Sequence, residues 1–109
     1  MQDKVLSMIG MATKAGKVQS GEFLTENAVK ERKAKLVVVA EDASDNTKKL
    51  FKDKCSFYKI PLCIYGTKED LGKWTGNEYR AALAVVDEGF VKSIVKNLRN
   101  SGGCLINEN

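Results

Sequence analysis

The residues Leu36-Val37-Val38-Val39-Ala40 form an unbroken apolar run that is rich in β-branched side chains. Such a run is typical of a strand that is covered on both faces. Two further apolar runs, at residues 62–65 and 82–86, are separated from it by segments whose apolar residues have helical spacing. Apolar strands that alternate with helices predict an α/β fold in which helices cover both faces of the sheet.

Apolar residues at intervals of three and four predict helices at residues 2–15, 22–33, 47–58 and 67–74, and after Asp87. A short edge strand is predicted at residues 17–19, immediately before the helix that begins at Gly21. Leu24 and Ala28 share one side of this second helix, so both are predicted to face the core.

The chain has 109 residues, of which 43% are hydrophobic and 29% are charged. This size and composition predict one compact domain, placed at residues 1–101, followed by a flexible tail at residues 102–109. The sequence has neither a signal peptide at its N-terminus nor an apolar run of the roughly 18 residues that a membrane span needs. We therefore expect a cytoplasmic protein without membrane association, and we expect it to be a monomer.

The sequence offers little catalytic chemistry. It contains no histidine, which is the commonest general base and the commonest transition-metal ligand. Its three cysteines are odd in number and include no C-x-x-C pair, so neither a disulfide framework nor a zinc site is indicated, and Cys55 and Cys63 are predicted to lie in the core. No phosphate loop or dinucleotide-binding motif is present. The sequence predicts a protein that is not an enzyme and has no metal, cofactor or small-molecule substrate.

The formal net charge of +4 favours a polyanionic partner. The helix start at Gly21 is a candidate anion site, because it presents unpaired N–H groups and follows Lys14 and Lys17 closely in sequence. The same residues also fit an ordinary basic connection between two helices. The third helix carries a row of lysines that we interpret as a solvated face, consisting of Lys48, Lys49, Lys52 and Lys59.

The segment Leu71-Gly72-Lys73-Trp74-Thr75-Gly76-Asn77-Glu78, followed by Tyr79-Arg80-Ala81-Ala82, resembles the kink-turn-binding ribosomal protein family of archaeal and eukaryotic large subunits. Ser20-Gly21 at the helix start and the segment from Ala34 to Ala43 are similar to the family in order and spacing. The nearest subgroup is the small bacterial YlxQ-like proteins, which Val18-Gln19-Ser20-Gly21-Glu22 also resembles.

The resemblance implies a three-layer α/β/α sandwich with a four-stranded mixed sheet, which binds sharply bent RNA carrying sheared G·A pairs. It also implies that the helix start at Gly21 enters the major groove beside those pairs, while the loop at residues 76–80 covers extruded bases. Lysine and arginine residues near these segments are added because of their charge, and Phe23 is undecided between the core and the RNA. The predicted RNA-binding residues are Lys14, Lys17, Gly21, Glu22, Phe23, Glu78, Tyr79 and Arg80.

This chain departs from the family pattern at one point. Many members have Thr-Asn-Glu after the glycine and a lysine three positions later, whereas this chain has Glu22-Phe23-Leu24 and Asn27. The main hypothesis is an RNA-binding protein of the ribosomal or translation machinery, with structured RNA as its partner and ribosomal RNA as one candidate. The alternative is a protein-interaction or regulatory module whose RNA face has drifted. A positive patch around Gly21 and Tyr79 would favour the first.

Overall fold

The computed structural model describes residues 3–103, 105 and 106. These residues contain one four-stranded sheet with the strand order β1-β4-β2-β3. The strands are β1 (Val18–Ser20), β2 (Leu36–Val39), β3 (Leu62–Ile64) and β4 (Ala82–Val85). β4 is antiparallel to both of its neighbours, and β2 is parallel to β3, so the sheet is mixed as predicted.

Five helices surround this sheet in the described residues: α1 (Lys4–Lys14), α2 (Glu22–Lys30), α3 (Asp45–Tyr58), α4 (Lys68–Trp74) and α5 (Glu88–Asn100). α2 packs against α3, whereas α1 packs against both α4 and α5. β2 and β4, the two central strands, are buried along their whole length. The predicted α/β/α sandwich with a four-stranded mixed sheet is confirmed.

The helices begin at residues that accept a hydrogen bond from a nearby backbone N–H group, with one exception. Asp3, Ser44, Thr67 and Asp87 each accept such a bond at the start of α1, α3, α4 and α5, respectively. A side-chain cap of this kind stabilises a helix by roughly 1 kcal/mol. α2 begins at Gly21 and has no side-chain cap, so its first N–H groups remain without a side-chain partner.

The core contains the predicted cysteines. Cys55 on α3 and Cys63 on β3 are fully buried. Burial raises the pKa of each thiol to about 12, which keeps both cysteines protonated and unreactive near neutral pH. Cys104 lies outside the described residues.

The prediction that Leu24 lies in the core is wrong, because its side chain is 45% exposed. The inward face of α2 consists instead of Thr25, Ala28 and Val29. The hydroxyl of Thr25 donates a hydrogen bond to the backbone oxygen of Gln19 at 3.4 Å, which satisfies this buried polar group. The apolar pattern of the sequence predicted a buried Leu24, because a pattern of apolar residues does not identify a threonine as buried.

The chain after α5 returns to the sheet. Ile106 and Leu62 exchange two backbone hydrogen bonds of 2.8 and 2.9 Å, forming an isolated antiparallel bridge beside β3. The domain boundary at residue 101 and the flexibility of residues 102–109 stay predictions.

Candidate functional site

The ends of the four strands form two opposite rims of the sheet, which we call its upper and lower edges. At the upper edge β1, β2 and β3 end and β4 begins; at the lower edge the directions are reversed. Gly21 lies at the upper edge, where its N–H group donates a hydrogen bond to the backbone oxygen of Ala82 at 2.9 Å. Its φ of 97° and ψ of 154° fall in a region that glycine alone adopts readily.

Gly21 lies beside the loop at residues 76–80. A Cβ atom at Gly21 would lie 3.7 Å from Nε of Arg80 and 3.8 Å from its Cδ, which is ordinary van der Waals contact. The start of α2 and this loop therefore form one surface, although more than fifty residues separate them in the chain. We call this surface, which comprises residues 20–23 and 76–80, the upper-edge surface.

Gly72 on α4 determines how closely the loop approaches. A Cβ atom at Gly72 would lie 2.6 Å from the carbonyl carbon of Glu78 and 2.7 Å from the backbone nitrogen of Tyr79. The N–H group of Asn77 also donates to the backbone oxygen of Gly72 at 2.8 Å. The loop backbone therefore lies directly on α4, in space that any other residue at position 72 would occupy.

Arg80 joins the two parts of the upper-edge surface. Its guanidinium donates from Nε to the hydroxyl of Ser20 at 3.3 Å, from Nη2 to Oδ1 of Asn77 at 2.8 Å and from Nη1 to the backbone oxygen of Tyr79 at 2.9 Å. The amide nitrogen of Asn77 donates to the same Ser20 hydroxyl at 3.4 Å. These bonds fix the direction of the cation before any ligand binds.

Ser20 and Asn77 were not among the predicted site residues. Each is a small polar residue directly beside a predicted one, since Ser20 precedes Gly21 and Asn77 precedes Glu78. A guanidinium needs several acceptors to hold it in one orientation. Small polar residues next to the predicted site residues were therefore the available sequence signal for Ser20 and Asn77.

Two aromatic rings are exposed on the upper-edge surface. Phe23, in the first turn of α2, is 75% exposed, and Tyr79, in the loop, is 59% exposed. Phe23 was undecided from sequence, and the structure places it outside the core. Exposed rings beside an arginine are suited to stack on flat, unpaired ligand groups.

The charge on the upper-edge surface is mixed. Glu22 and Glu78 are exposed, and Arg80 is half-buried. The carboxylate of Glu22 accepts a hydrogen bond from the hydroxyl of Thr47 at 2.6 Å, which ties the start of α2 to the start of α3. The positive patch that would have favoured RNA binding over a drifted face is not formed by these charges.

The two predicted lysines lie in different places. Lys14 lines a shallow groove with Lys73, Trp74 and Gly76, next to the beginning of the loop. Lys17 lies at the lower edge of the sheet, where its backbone oxygen accepts from the N–H group of Val86. The strand between Lys17 and Gly21 separates them by about 13 Å, at roughly 3.3 Å per residue. Lys17 therefore does not lie beside the helix start, although it is close in sequence, and its role in RNA binding stays a prediction.

The described residues contain no cluster of three or more potential metal ligands. Among the helices formed by those residues, none combines the length and the apolar character needed to cross a membrane.

The chain is a small α/β/α sandwich in which the start of α2 and the loop before β4 form one exposed surface. Residues 3–95 match the Ribosomal protein L7Ae/L30e/S12e/Gadd45 family, and the chain belongs to this family. The predicted family and its bacterial YlxQ-like subgroup are confirmed.

Two curated relatives are each 41% identical to the chain over 91 residues and are named RNA-binding protein YlxQ. The alignment covers 84% of this chain in both cases, with 91% of the Bacillus subtilis (strain 168) protein and 87% of the Enterococcus faecium protein. The family and these relatives are non-enzymatic, which supports the prediction that the chain is not an enzyme.

Two solved structures have the same fold. A protein of unknown function from Bacillus halodurans C is 33% identical and superposes with a TM-score of 0.85, covering 90% of this chain and 99% of its own. The Giardia lamblia 15.5kD RNA binding protein is 17% identical and has a TM-score of 0.75, covering 89% of this chain and 83% of its own. At this identity the second comparison concerns the fold alone.

Proposed function

We propose that this protein binds structured RNA with a sharply bent, kink-turn-like form, and that it does so at the upper-edge surface. Family membership and the names of the two YlxQ relatives support RNA as the ligand. The observation that carries the proposal is the pair of hydrogen bonds from Arg80 and Asn77 to the hydroxyl of Ser20, next to Gly21, which joins the start of α2 to the loop at residues 76–80 in one surface.

Each part of this surface has a role in the proposal. The uncapped N–H groups at the start of α2 and the guanidinium of Arg80 face phosphates. Phe23 and Tyr79 stack on bases that the bend has removed from the helix. Glu22 and Glu78 accept hydrogen bonds from base amino groups, which a carboxylate does without losing its charge. The RNA is recognised by its shape more than by its sequence.

The wider setting is part of the same proposal. The protein acts as a monomer in the cytoplasm, within the ribosomal or translation machinery, and ribosomal RNA is a candidate partner. No small molecule takes part as a substrate.

A direct titration tests the proposal. We expect tighter binding to a kink-turn RNA than to a straight RNA duplex of the same base composition at moderate salt. Equal affinity for both RNAs would rule out recognition of the bend. The mixed charge of the upper-edge surface favours a second candidate function, a protein-interaction module, and an absence of measurable binding to either RNA would support that function instead.

Substitution of Tyr79 by alanine is expected to weaken kink-turn binding by about 1–3 kcal/mol, which is the usual contribution of one stacked base. The slope of log affinity against log salt should stay unchanged, because stacking releases no counterions. Arg80→Ala should instead reduce that slope by roughly 0.7–0.9 if the guanidinium neutralises one phosphate. Fluorescence anisotropy at several salt concentrations measures both quantities.

Arg80→Lys is the control for charge. Lysine keeps the positive charge but cannot reproduce the three directed hydrogen bonds of the guanidinium. It should retain the salt slope and lose affinity through a looser loop. If Tyr79→Ala and Arg80→Ala both bind like the parent protein, the loop is not an RNA site.

A further inference from the structure

A second surface lies at the lower edge of the sheet, opposite the upper-edge surface. It is a groove of about 480 Å³ between the C-terminal ends of α2 and α3 and the first turns of α5. Ala34, Tyr58, Ile60, Pro61 and Val91 contribute to its lining. Its other lining residues are charged, and four of these five are cations: Arg32, Lys35, Lys59 and Lys92, with Glu88 as the carboxylate. We call this surface the basic groove.

None of the four cations of the basic groove forms a salt bridge with a carboxylate of the described residues. The salt bridges in the described part of the chain involve Lys30, Lys33, Lys49 and Lys54, and none of these lines the groove. The guanidinium of Arg32 lies over the ring of Tyr58, 5.2 Å from its centroid, instead of against a carboxylate. A cation held on an aromatic ring keeps its N–H donors available for an anion.

The backbone at two of these cations is unusual. Arg32 has a φ of 60° and Lys59 has a φ of 58°, and among the described residues these are the non-glycine positions with left-handed backbone. Both residues follow the last turn of a helix, where left-handed backbone is common, but glycine or asparagine adopts this conformation with less strain. The helix dipole favours cations near helix C-termini, but it does not require that the cation occupy the left-handed position itself. It also gives no reason for the cations at Lys35 and Lys92. Residues retained in strained conformations occur often at binding sites.

Aromatic surface continues beside the groove. Phe57 is 76% exposed, and its ring meets the ring of Tyr58 edge to face with 4.9 Å between centroids. Arg32, Tyr58 and Phe57 therefore form a row in which a cation and two rings are in contact. Interleaved cations and aromatic rings suit a nucleic acid, which offers both phosphates and flat bases.

We propose that the basic groove binds the phosphodiester backbone of an RNA segment distinct from the one at the upper-edge surface. The inference rests on the proposed RNA-binding function and extends it to a second contact. The strands alone separate the two edges by about 13 Å, at roughly 3.3 Å per residue. An RNA bend bound at Gly21 therefore leaves the groove free for another arm of the same RNA or for a second RNA helix. The protein thus holds two RNA segments at opposite ends of its sheet.

A straight RNA duplex is the probe, because it lacks the bend that the upper-edge surface is proposed to read. The groove variant carries Lys35→Gln, Lys59→Asn and Lys92→Gln in the full chain. The matched control carries Lys48→Gln, Lys49→Gln and Lys52→Gln, which removes three charges from the predicted solvated face of α3. We expect the groove variant to lower duplex affinity and to reduce the salt slope by about 2–3, at roughly 0.9 per phosphate contact, and the control to change both little.

Glu88→Gln should change duplex affinity in the opposite direction. It removes the carboxylate that lines the groove, so duplex binding should become stronger. It also tests the inference if the triple variant folds poorly. Asparagine is chosen at position 59 because it tolerates left-handed backbone, so thermal unfolding should be unchanged or shifted upward.

The outcomes separate the two proposals. Equal losses of duplex affinity in the groove variant and the control, or no loss in either, would overturn the proposal for the basic groove. Unchanged or weaker duplex binding by Glu88→Gln would also overturn it. A groove variant that loses duplex affinity while still preferring the kink-turn supports both proposals. If the parent shows no kink-turn preference but its duplex binding depends on the groove, the proposal for the upper-edge surface fails and the inference stands.

Discussion

Replacement of Gly72 by valine is expected to destabilise the protein by about 3 kcal/mol or more, at the upper end of what overpacking usually costs. The first added carbon alone would lie 2.6 Å from the carbonyl carbon of Glu78 and 2.7 Å from the nitrogen of Tyr79. Because those atoms belong to the backbone, no side-chain rotation relieves the overlap. The loop at residues 76–80 must leave α4, so RNA binding at the upper-edge surface should be lost as well.

Denaturant unfolding measures the stability, and anisotropy with kink-turn RNA measures the binding. Gly102→Asn is the control, because Gly102 lies outside the upper-edge surface, has a φ of 81° and has open space where its Cβ atom would be, and asparagine tolerates that conformation. Its stability and affinity should stay near those of the parent. A Gly72→Val protein that keeps normal affinity would show that the position of the loop on α4 does not matter for binding.

Replacement of Gly21 by valine is expected to reduce both stability and RNA binding. The backbone at Gly21, with a φ of 97° and a ψ of 154°, is strained by about 1–3 kcal/mol for a residue with a side chain. The added atoms would also lie against Arg80 and would obstruct the approach of a phosphate to the start of α2. From sequence alone only the obstruction was foreseeable; the structure adds the strain.

Gly16→Val separates these two effects. Gly16 has a φ of 74°, open space lies where its Cβ atom would be, and it precedes Lys17 at the lower-edge end of β1. The substitution should therefore cause backbone strain while leaving the upper-edge surface intact. Unfolding and kink-turn affinity are measured for both variants at a temperature where both are folded. Equal affinity of the two variants for the RNA would mean that Gly21 is only a structural cap.

The strands and helix starts were predictable because their signals are local. A fully buried strand shows itself as an apolar run, as at residues 36–40, and the Thr67 to Asp70 capping box reports a helix start through two reciprocal hydrogen bonds. Exposure on α2 was predicted wrongly because it depends on tertiary packing. Thr25, Ala28 and Val29 face the core, and the hydroxyl of Thr25 has a hydrogen-bond partner there, whereas Leu24 is exposed.

The site was less predictable because it depends on which strand ends lie at the same edge of the sheet. The proximity of Gly21 to Arg80 was inferred from a family resemblance and not from either segment itself. Lys17 was misplaced because a strand carries its two ends to opposite edges of the sheet, so closeness in sequence does not mean closeness in space. The basic groove has no local sequence signal, since its cations come from three separate regions of the chain.

The bridge between Ile106 and Leu62 limits how another extended chain could pair with β3. β3 lies at one side of the sheet, and a bare strand there would offer its backbone groups to any extended chain. Ile106 already occupies the donor and acceptor of Leu62. At that residue the sheet is closed to an added strand, so another chain that paired with Leu62 would first have to displace Ile106.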